Sequence, residues 1–416
     1  MLAAFPRKCR RCEEELTVHT IVERIRALTP DERVLLALVA AAFCSVYAIA
    51  AALLALPVYL IFTKKLIPVL RASRGAPLLG LFCAISLGVT IRYGDTRAVA
   101  LGVGMLFASV ALLFVQYAMT RRAFRLMLTI SCAGSVFAFF VAIAQRLWLT
   151  QYLFEGRACA TFVNANFYAT VIEVTTLFAV YRLLRRGSVA RTVFYVAVLC
   201  ANLGGLYLCQ SRAAFLVVFG SVALLLALTD LRYLGHACAV LLMMLLLYTA
   251  RGVWMPRLDA ASSDLSAGRE QIWRTAVRMI RDHLLYGRGY LSYQQFYRAY
   301  HGFAANHAHN LLLDLLVNFG VVGAGLLLAY LAVNLAGIVR IYVRGVERSK
   351  SALALAVLVT VLVHGVVDST VYWPQTALLV ITVLTYSRAY SDMPAVSEGV
   401  PLRARGAKAK QTTVQP

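Results

Sequence analysis

The residues best suited to chemistry lie at 306–310, which read Asn-His-Ala-His-Asn and lead directly into an apolar segment. Imidazole exchanges a proton near neutral pH without a special environment. His307 and His309 stand at the end of the longest polar loop of the chain, beside Asn306 and Asn310. The pattern favours a proton-transfer site over histidines that serve only in packing.

The composition determines what must position these residues. The chain has 416 residues, of which 61% are hydrophobic and 14% charged. A soluble domain carries about 25% charged residues, and apolar stretches near the ~20 residues that cross a bilayer recur along this chain. The sequence therefore predicts an all-α, polytopic membrane protein.

The net charge of +22 comes from 41 Lys and Arg against 19 Asp and Glu. In a soluble chain this excess would suggest a nucleic-acid partner. Here the basic residues lie in short connections and in the tail, for example at Arg403 and Lys410. This arrangement orients helices in a bilayer and attracts anionic lipid, so we expect membrane lipids, and no nucleic acid, as partners.

The apolar segments alternate between basic connections and connections poor in Lys and Arg. They run at 34–62, 76–91, 98–119, 123–146, 167–184, 191–209, 213–229, 234–250, 313–343, 351–369 and 375–388. The positive-inside rule places the basic connections in the cytoplasm. The outward set is then the loops near Tyr93, at 147–166, at Gln210–Arg212, at 251–308 and near Tyr372.

Residues 34–62 lie between two basic stretches and are longer than one crossing but short for two. We predict a compact hairpin that bends between Ala48 and Pro57, which gives about twelve spans with both termini inside. The alternative, one long tilted helix, is disfavoured by the early Arg and Lys residues. The predicted organisation is a cytoplasmic segment at 1–33, a transmembrane domain at 34–390 and a disordered basic cytoplasmic tail at 391–416.

The long outward loop, 251–308, is predicted to contain an amphipathic helix on the membrane face. Ile272, Trp273, Ala276 and Met279 recur there at helical spacing. A start at Gly268-Arg269 would place Arg269 in the first turn, where unpaired N–H groups favour phosphate. The alternative is an arginine that only reaches lipid headgroups.

Other polar residues are expected near the same boundary. Arg212 sits between two apolar helices, where a charge needs water or an anion, and both lipid phosphate and substrate phosphate would serve. Arg157 precedes Asn164 and Asn166, either of which could cap the next helix. Glu173 lies on the same helix face as Asn166, and we expect it to hold an arginine such as Arg212 in place.

His364 and Asp368 are one helical turn apart and are predicted to form a hydrogen-bonded pair in the same cavity. The spacing of His307 and His309 suits neither one helix face nor a zinc motif with cysteine, so we expect no metal and no cofactor. The polar residues of the outward loops include several Arg, one or two His and few carboxylates. Such a set suits a leaving group that is already negative. Arginine binds diphosphate oxygens bidentately, and a histidine can act as base on an attacking hydroxyl.

The ordered set of motifs resembles the O-antigen ligase and polymerase superfamily, bacterial membrane glycosyltransferases of the GT-C type. In the family's order, across about 150–375, the matches are Arg157 with Thr161-Phe162 and Asn164-x-Asn166, Ser211-Arg212, Gly268-Arg269-x-x-Ile272-Trp273, Tyr286-Gly287-x-Gly289, His307-Ala308-His309-Asn310 running into Leu313 and Gly320, and His364 to Asp368. The chain departs from the family at Ala165 and Ala308, where Pro is common, and at Ala160, where Gly is frequent.

The resemblance implies an inverting transfer of a glycan from undecaprenyl diphosphate to a sugar hydroxyl, of lipid A-core or another glycan, at the outer face of the bacterial inner membrane. It implies His309 as the base and Arg212 and Arg269 as diphosphate ligands, and we expect Arg157 to bind the diphosphate with them. Supporting roles are expected for Asn166, Glu173, His307, Asn310 and Asp368. Alternatives are a polymerase, a transferase onto wall polymer or protein, and a flippase. A flippase would not need the histidine and would more often show internal repeats, of which we detect none.

Overall fold

The chain folds into helices joined by short loops. The computed structural model describes residues 27–73, 75–185, 187–250, 262–345 and 347–386. Eight helices in this part are long and apolar enough to cross a membrane, or nine if one bent pair is a single span. The predicted all-α, multi-pass membrane architecture is confirmed. The predicted tail at 391–416, and most of the predicted segment at 1–33, lie outside the described residues.

The helices follow the predicted apolar segments closely. They are α1 (Pro30–Cys44), α2 (Val46–Phe62), α3 (Leu66–Ala72), α4 (Ala76–Tyr93), α5 (Thr96–Ala118), α6 (Arg121–Leu147), α7 (Ala165–Leu183), α8 (Val189–Cys209), α9 (Arg212–Thr229), α10 (Leu234–Thr249), α11 (Ser262–Asp282), α12 (Ser292–Phe296), α13 (Leu311–Val343), α14 (Arg348–Gly365) and α15 (Pro374–Leu384). Short 3-10 turns lie at Thr150–Tyr152, Leu231–Tyr233, Tyr297–Tyr300 and Thr370–Tyr372.

The first apolar segment is a hairpin of two short helices, but its bend is not where we predicted it. Ser45 is extended, ends α1, and caps α2 by accepting a 3.0 Å hydrogen bond from the Ala48 amide. Pro57 stays inside α2. The Tyr59 hydroxyl donates to Asp31 at 2.6 Å, so the start of α1 lies beside the end of α2. A serine that satisfies the next helix's free amide is therefore the break, not the alanine and proline run.

Helix α7 is the centre of the bundle and packs against α6, α8, α9 and α14. Its side chains are buried on nearly every face, and they include Thr170 and Glu173. A helix surrounded by other helices can carry polar residues that lipid would not accept. With 19 residues it reaches about 28 Å at ~1.5 Å per residue, although it is not among the eight apolar candidates. The count of twelve spans stays a prediction.

Helix α13 is broken at Gly320, which the sequence did not predict. Gly320 has φ 59° and ψ −170° inside the 33-residue helix. The amides of Val321 and Val322, released from the helix, donate to the carbonyls of Leu284 and Leu285 at 2.9 and 3.0 Å. The loop after α11 thus satisfies the backbone groups that the break exposes, as a membrane helix requires.

Two glycines make this docking possible. A Cβ on Gly320 would lie 2.4 Å from the Leu285 carbonyl carbon, and one on Gly287 would lie 2.5 Å from the Asn318 backbone. Both residues have positive φ. The Gly287-x-Gly289 motif therefore serves to seat the loop against α13.

Helix α11 differs from its prediction in two respects. It begins at Ser262, seven residues before Arg269. Its apolar face is formed by Ile272, Ala276 and Met279. This face belongs to a buried apolar cluster that also contains Tyr293 and Val317 of α13. This face is therefore buried against protein, not laid on the membrane face.

Candidate functional site

The loops that we assigned to the outward set converge on one pocket at one end of the bundle. The pocket has a volume of about 1680 Å³. Its lining includes residues from the loop near Tyr93, from 147–166, from the α8–α9 turn and from the loop after α11. Four of the loops that the charge pattern assigned to the outward set thus contribute to this pocket. The membrane face that this end occupies remains a prediction.

His307, His309 and Asp368 form a cluster in this pocket. His307 Nε2 donates to Asp368 Oδ1 at 2.7 Å, and His309 Nδ1 donates to the same oxygen at 3.2 Å. The Asp368 side chain is 2% exposed, whereas the two imidazoles are 24% and 28% exposed. Because His309 uses Nδ1 for the carboxylate, a neutral ring keeps Nε2 as a proton acceptor.

The local backbone holds the imidazoles where the helix begins. Asn310 is the N-cap of α13 and accepts from the amides of Leu312 and Leu313 at 3.1 and 3.0 Å. His309, just before it, has φ 48°, a left-handed conformation that His and Asn adopt more readily than most residues. Asn310 therefore acts as a helix cap, and its place in the site is structural.

Asp314, one turn into α13, braces the same loop. Its Oδ1 accepts from the Ala308 amide at 2.7 Å, and its Oδ2 accepts from the Ser369 hydroxyl. The sequence alone indicated no role for Asp314 or for Ser369. A carboxylate one turn after a helix start is a common feature, and only the fold reveals that it joins the histidine loop to the segment carrying Asp368.

The electrostatics of the cluster favour a charged pair. Burial alone lowers the pKa of His307, but the hydrogen bond and charge of Asp368 outweigh it and raise that pKa above its ordinary value. Burial alone raises the pKa of Asp368, but hydrogen bonds from His307 and His309 and their charges hold it well below its ordinary range. Asp368 is thus a carboxylate that can stabilise a protonated imidazole.

Arg157 is joined to the cluster through Asn166. Arg157 Nη2 donates to Asn166 Oδ1 at 2.7 Å, and Asn166 Nδ2 donates to Asp368 Oδ2 at 2.6 Å. Arg157 Nε also donates to the Cys209 carbonyl at 2.8 Å. Asn164, not Asn166, is the N-cap of α7. Asn166 is therefore the link between the guanidinium and the carboxylate.

The loop that carries Arg157 is held by a residue that sequence analysis missed. Gln145 of α6 accepts from the amides of Cys159 and Ala160 at 3.1 and 2.8 Å and donates to the Ala160 carbonyl at 2.9 Å. The signal was a glutamine within an apolar helix, which requires a partner when it is buried.

The other two arginines line the same pocket. Arg212 is the first residue of α9, after a sharp turn in which Gln210 is left-handed. Arg269 lies in α11 and lines the pocket together with His364. Since α11 begins at Ser262, our prediction of a helix N-terminus beside Arg269 is wrong.

The predicted partners of Glu173 and His364 are also wrong. Glu173 Oε1 accepts from His364 Nδ1 at 2.6 Å, and both side chains are buried. Glu173 therefore holds no arginine such as Arg212, because it faces α14 inside the bundle. Asp368 meets His364 only through its backbone amide, which donates to the His364 carbonyl.

The comparison with protein families bears on this pocket. Residues 195–328 match the family model described as O-Antigen ligase. This segment of the chain is thus similar to an O-antigen ligase domain. The match confirms the resemblance to the O-antigen ligase and polymerase superfamily. No curated protein matches the chain significantly.

The matched O-antigen ligase segment contains Arg212, Arg269 and His309. Arg157, Asn166 and Asp368 lie outside it in sequence. The hydrogen-bond chain from Arg157 to His309 connects these outer residues to the matched segment in space.

Proposed function

We propose that this protein is a glycosyltransferase of the O-antigen ligase type that moves a glycan from undecaprenyl diphosphate to a sugar hydroxyl. The observation that carries the proposal is the single pocket lined by Arg157, Arg212, Arg269 and His309, with Asp368 bonded to the imidazole. Three guanidinium groups suit a diphosphate, and a carboxylate-held imidazole suits removal of a hydroxyl proton.

In the proposed step the acceptor oxygen attacks the anomeric carbon of the donor sugar. The bond from that carbon to the diphosphate oxygen breaks, and undecaprenyl diphosphate leaves with the electron pair. The hydroxyl proton passes to His309 Nε2, and Asp368 stabilises the imidazolium through Nδ1. Direct displacement inverts the anomeric configuration.

The arginines are proposed to carry the charge of the leaving group. Each guanidinium presents a planar fork that matches phosphate oxygens. Arg157 is held at a fixed orientation by Asn166 and the Cys209 carbonyl, so it is already ordered for the donor. In this mechanism the guanidinium groups take the place of a divalent metal.

The proposed location is the outer face of the bacterial inner membrane, because the loops that line the pocket alternate along the chain with basic connections, which the positive-inside rule places in the cytoplasm. The acceptor in the ligase reaction is a glycolipid such as lipid A-core. A polymerase, or a transferase onto wall polymer or protein, would use the same groups with a different acceptor. A flippase would need the arginines but no base.

The test is transfer by the purified full chain in lipid nanodiscs, with a labelled lipid-diphosphate glycan and candidate acceptors. We expect His309→Asn, which keeps the left-handed backbone favourable, to lose about 10²–10⁴-fold in rate. His301→Asn is the matched control, since His301 is also left-handed and exposed. Wild-type rates in His309→Asn would exclude His309 as the base, and the absence of transfer by the wild-type chain would favour a transporter. Products extended on the lipid-linked donor itself would identify a polymerase.

A further inference from the structure

The cluster that the transfer reaction would use also has the composition of a metal site. His307, His309 and Asp368 each offer one ligand atom, and these atoms all lie within 4.8 Å of one another. His307 and His309 alone are too few and too unsuitably spaced for a metal motif in the sequence. Asp368 supplies a third ligand from a distant part of the sequence.

The donor set suits a divalent transition metal of the zinc class. Two imidazole nitrogens and one carboxylate oxygen are the ligands of open zinc sites, which keep a fourth position for water or substrate. Zinc bonds of ~2.0–2.1 Å place neighbouring tetrahedral ligand atoms about 3.3 Å apart. The observed separations from Asp368 Oδ1 are 2.7 Å to His307 and 3.2 Å to His309. To match such a shell, the separation of Asp368 Oδ1 from His307 would have to widen by about 0.6 Å and that from His309 by about 0.1 Å.

The surroundings support such a shell. Asp368 is fixed by the Ser369 amide, 2.9 Å from Oδ1, and by Asn166, 2.6 Å from Oδ2. Outer hydrogen bonds of this kind orient metal ligands. The two imidazoles are partly exposed to the pocket, which provides a path of approach and room for the fourth ligand. The arginines that line the pocket oppose a cation, so the site should bind less tightly than a closed structural zinc site.

We propose that His307, His309 and Asp368 bind a divalent metal of the zinc class, and that occupancy blocks the imidazole from acting as a base. Metal binding stands on the ligand geometry alone. The block rests on the proposed function. The bound ion would occupy His309 Nδ1 and Asp368 Oδ1, and its positive charge would lie where the imidazolium must form. Zinc is thus an inhibitor of transfer in this proposal.

The first test measures binding to the metal-stripped full chain in nanodiscs. Zn²⁺ is titrated by calorimetry, and Co²⁺ is followed by its visible absorption, which reports coordination by nitrogen and oxygen. We expect one ion per chain, with affinity reduced by about tenfold or more in His307→Gln and in Asp368→Asn. His301→Asn should bind as wild type does. Equal binding by wild type and both cluster variants, or no binding by wild type, would overturn the site.

The second test separates the site from the reaction. Transfer by the wild-type chain should fall as Zn²⁺ fills the site and return when a chelator removes it. Zinc that binds at this cluster yet leaves the rate unchanged, or raises it, would refute the block while the site stands. A chain that binds zinc at the cluster but transfers no glycan even when metal-free would count against the proposed function and leave the metal site intact.

Discussion

Replacing Asp368 by asparagine tests whether this carboxylate organises the site. The change keeps the size of the side chain and removes its charge and one acceptor. Asp368 Oδ1 accepts from the Ser369 amide as well as from the imidazoles, and Oδ2 accepts from Asn166 Nδ2. The orientation of Asn166 is set, because its Oδ1 accepts from Arg157. Both oxygens therefore face donors.

The Asp368→Asn side chain must point its NH2 group, itself a donor, toward one of these donors. A buried polar group left unsatisfied costs about 1–3 kcal/mol, so we expect a lower melting temperature. His309 also loses the carboxylate that selects its tautomer and stabilises its imidazolium. Since a general base contributes about 10²–10⁴-fold, we expect the transfer rate of Asp368→Asn to fall by about 10²-fold or more.

The assay is single-turnover transfer by Asp368→Asn, His309→Asn and the double variant. If Asp368 acts through His309, the double variant loses no more than the worse single variant. A lower stability alone would not produce this non-additivity. Losses that multiply in the double variant, or a wild-type rate in Asp368→Asn, would refute the assignment of Asp368 as the positioning residue.

Four further predictions concern other parts of the molecule. Arg212→Lys should weaken donor binding, because a point charge cannot replace a planar fork; unchanged donor affinity would contradict it. Asn166→Ala should raise the donor KM more than it lowers kcat, since it removes one of the hydrogen bonds that orient Arg157 but leaves His309 bonded to Asp368; a selective loss of kcat would contradict this. Gly320→Ala should lower stability by about 1–3 kcal/mol or more, because φ is positive and a Cβ meets backbone; thermal unfolding in detergent measures it. Burial, then the charge of Arg288, lowers the pKa of His283, so the unfolded chain takes the proton first and stability should fall as pH drops through and below about 6.5; His283→Gln should flatten this dependence, and an unchanged slope would contradict it.

The positions of the membrane helices could be predicted from sequence because lipid allows few alternatives. Apolar runs near the length of a bilayer must be helical, and the helices begin and end within a few residues of the predicted segments. The break at Gly320 could not be predicted in the same way. It depends on carbonyls of Leu284 and Leu285 that approach from another loop, and a single glycine in an apolar run does not indicate such a partner.

Which polar residues lie together was predicted more accurately than how they pair. His309, Arg157, Arg212 and Arg269 do line one pocket, because polar residues at helix ends gather where helices end together. The pairing of Glu173 was wrong, since a helix face points to several neighbours and the sequence does not say which one is opposite. Hydrogen-bond partners across helices depend on the rotation of each helix, which hydropathy does not determine.

Three polar residues of α7 face the end of α14 and explain how the two helices stay aligned at the site. Asn166 bonds to Asp368 at 2.6 Å, Thr170 to Thr370 at 2.8 Å and Glu173 to His364 at 2.6 Å. Spacings of four and three residues place the three α7 side chains on one helix face. Lipid tails are as apolar as the helices, so apolar contact alone does not specify one alignment, and a polar bond within a bilayer contributes only about 1 kcal/mol. Three such bonds in a row fix the rotation and height of α7 against α14 more than they stabilise the pair. A slip of one residue would break all three together. The bond nearest the pocket holds Asp368, so the same contacts that align the helices also set the position of the imidazoles.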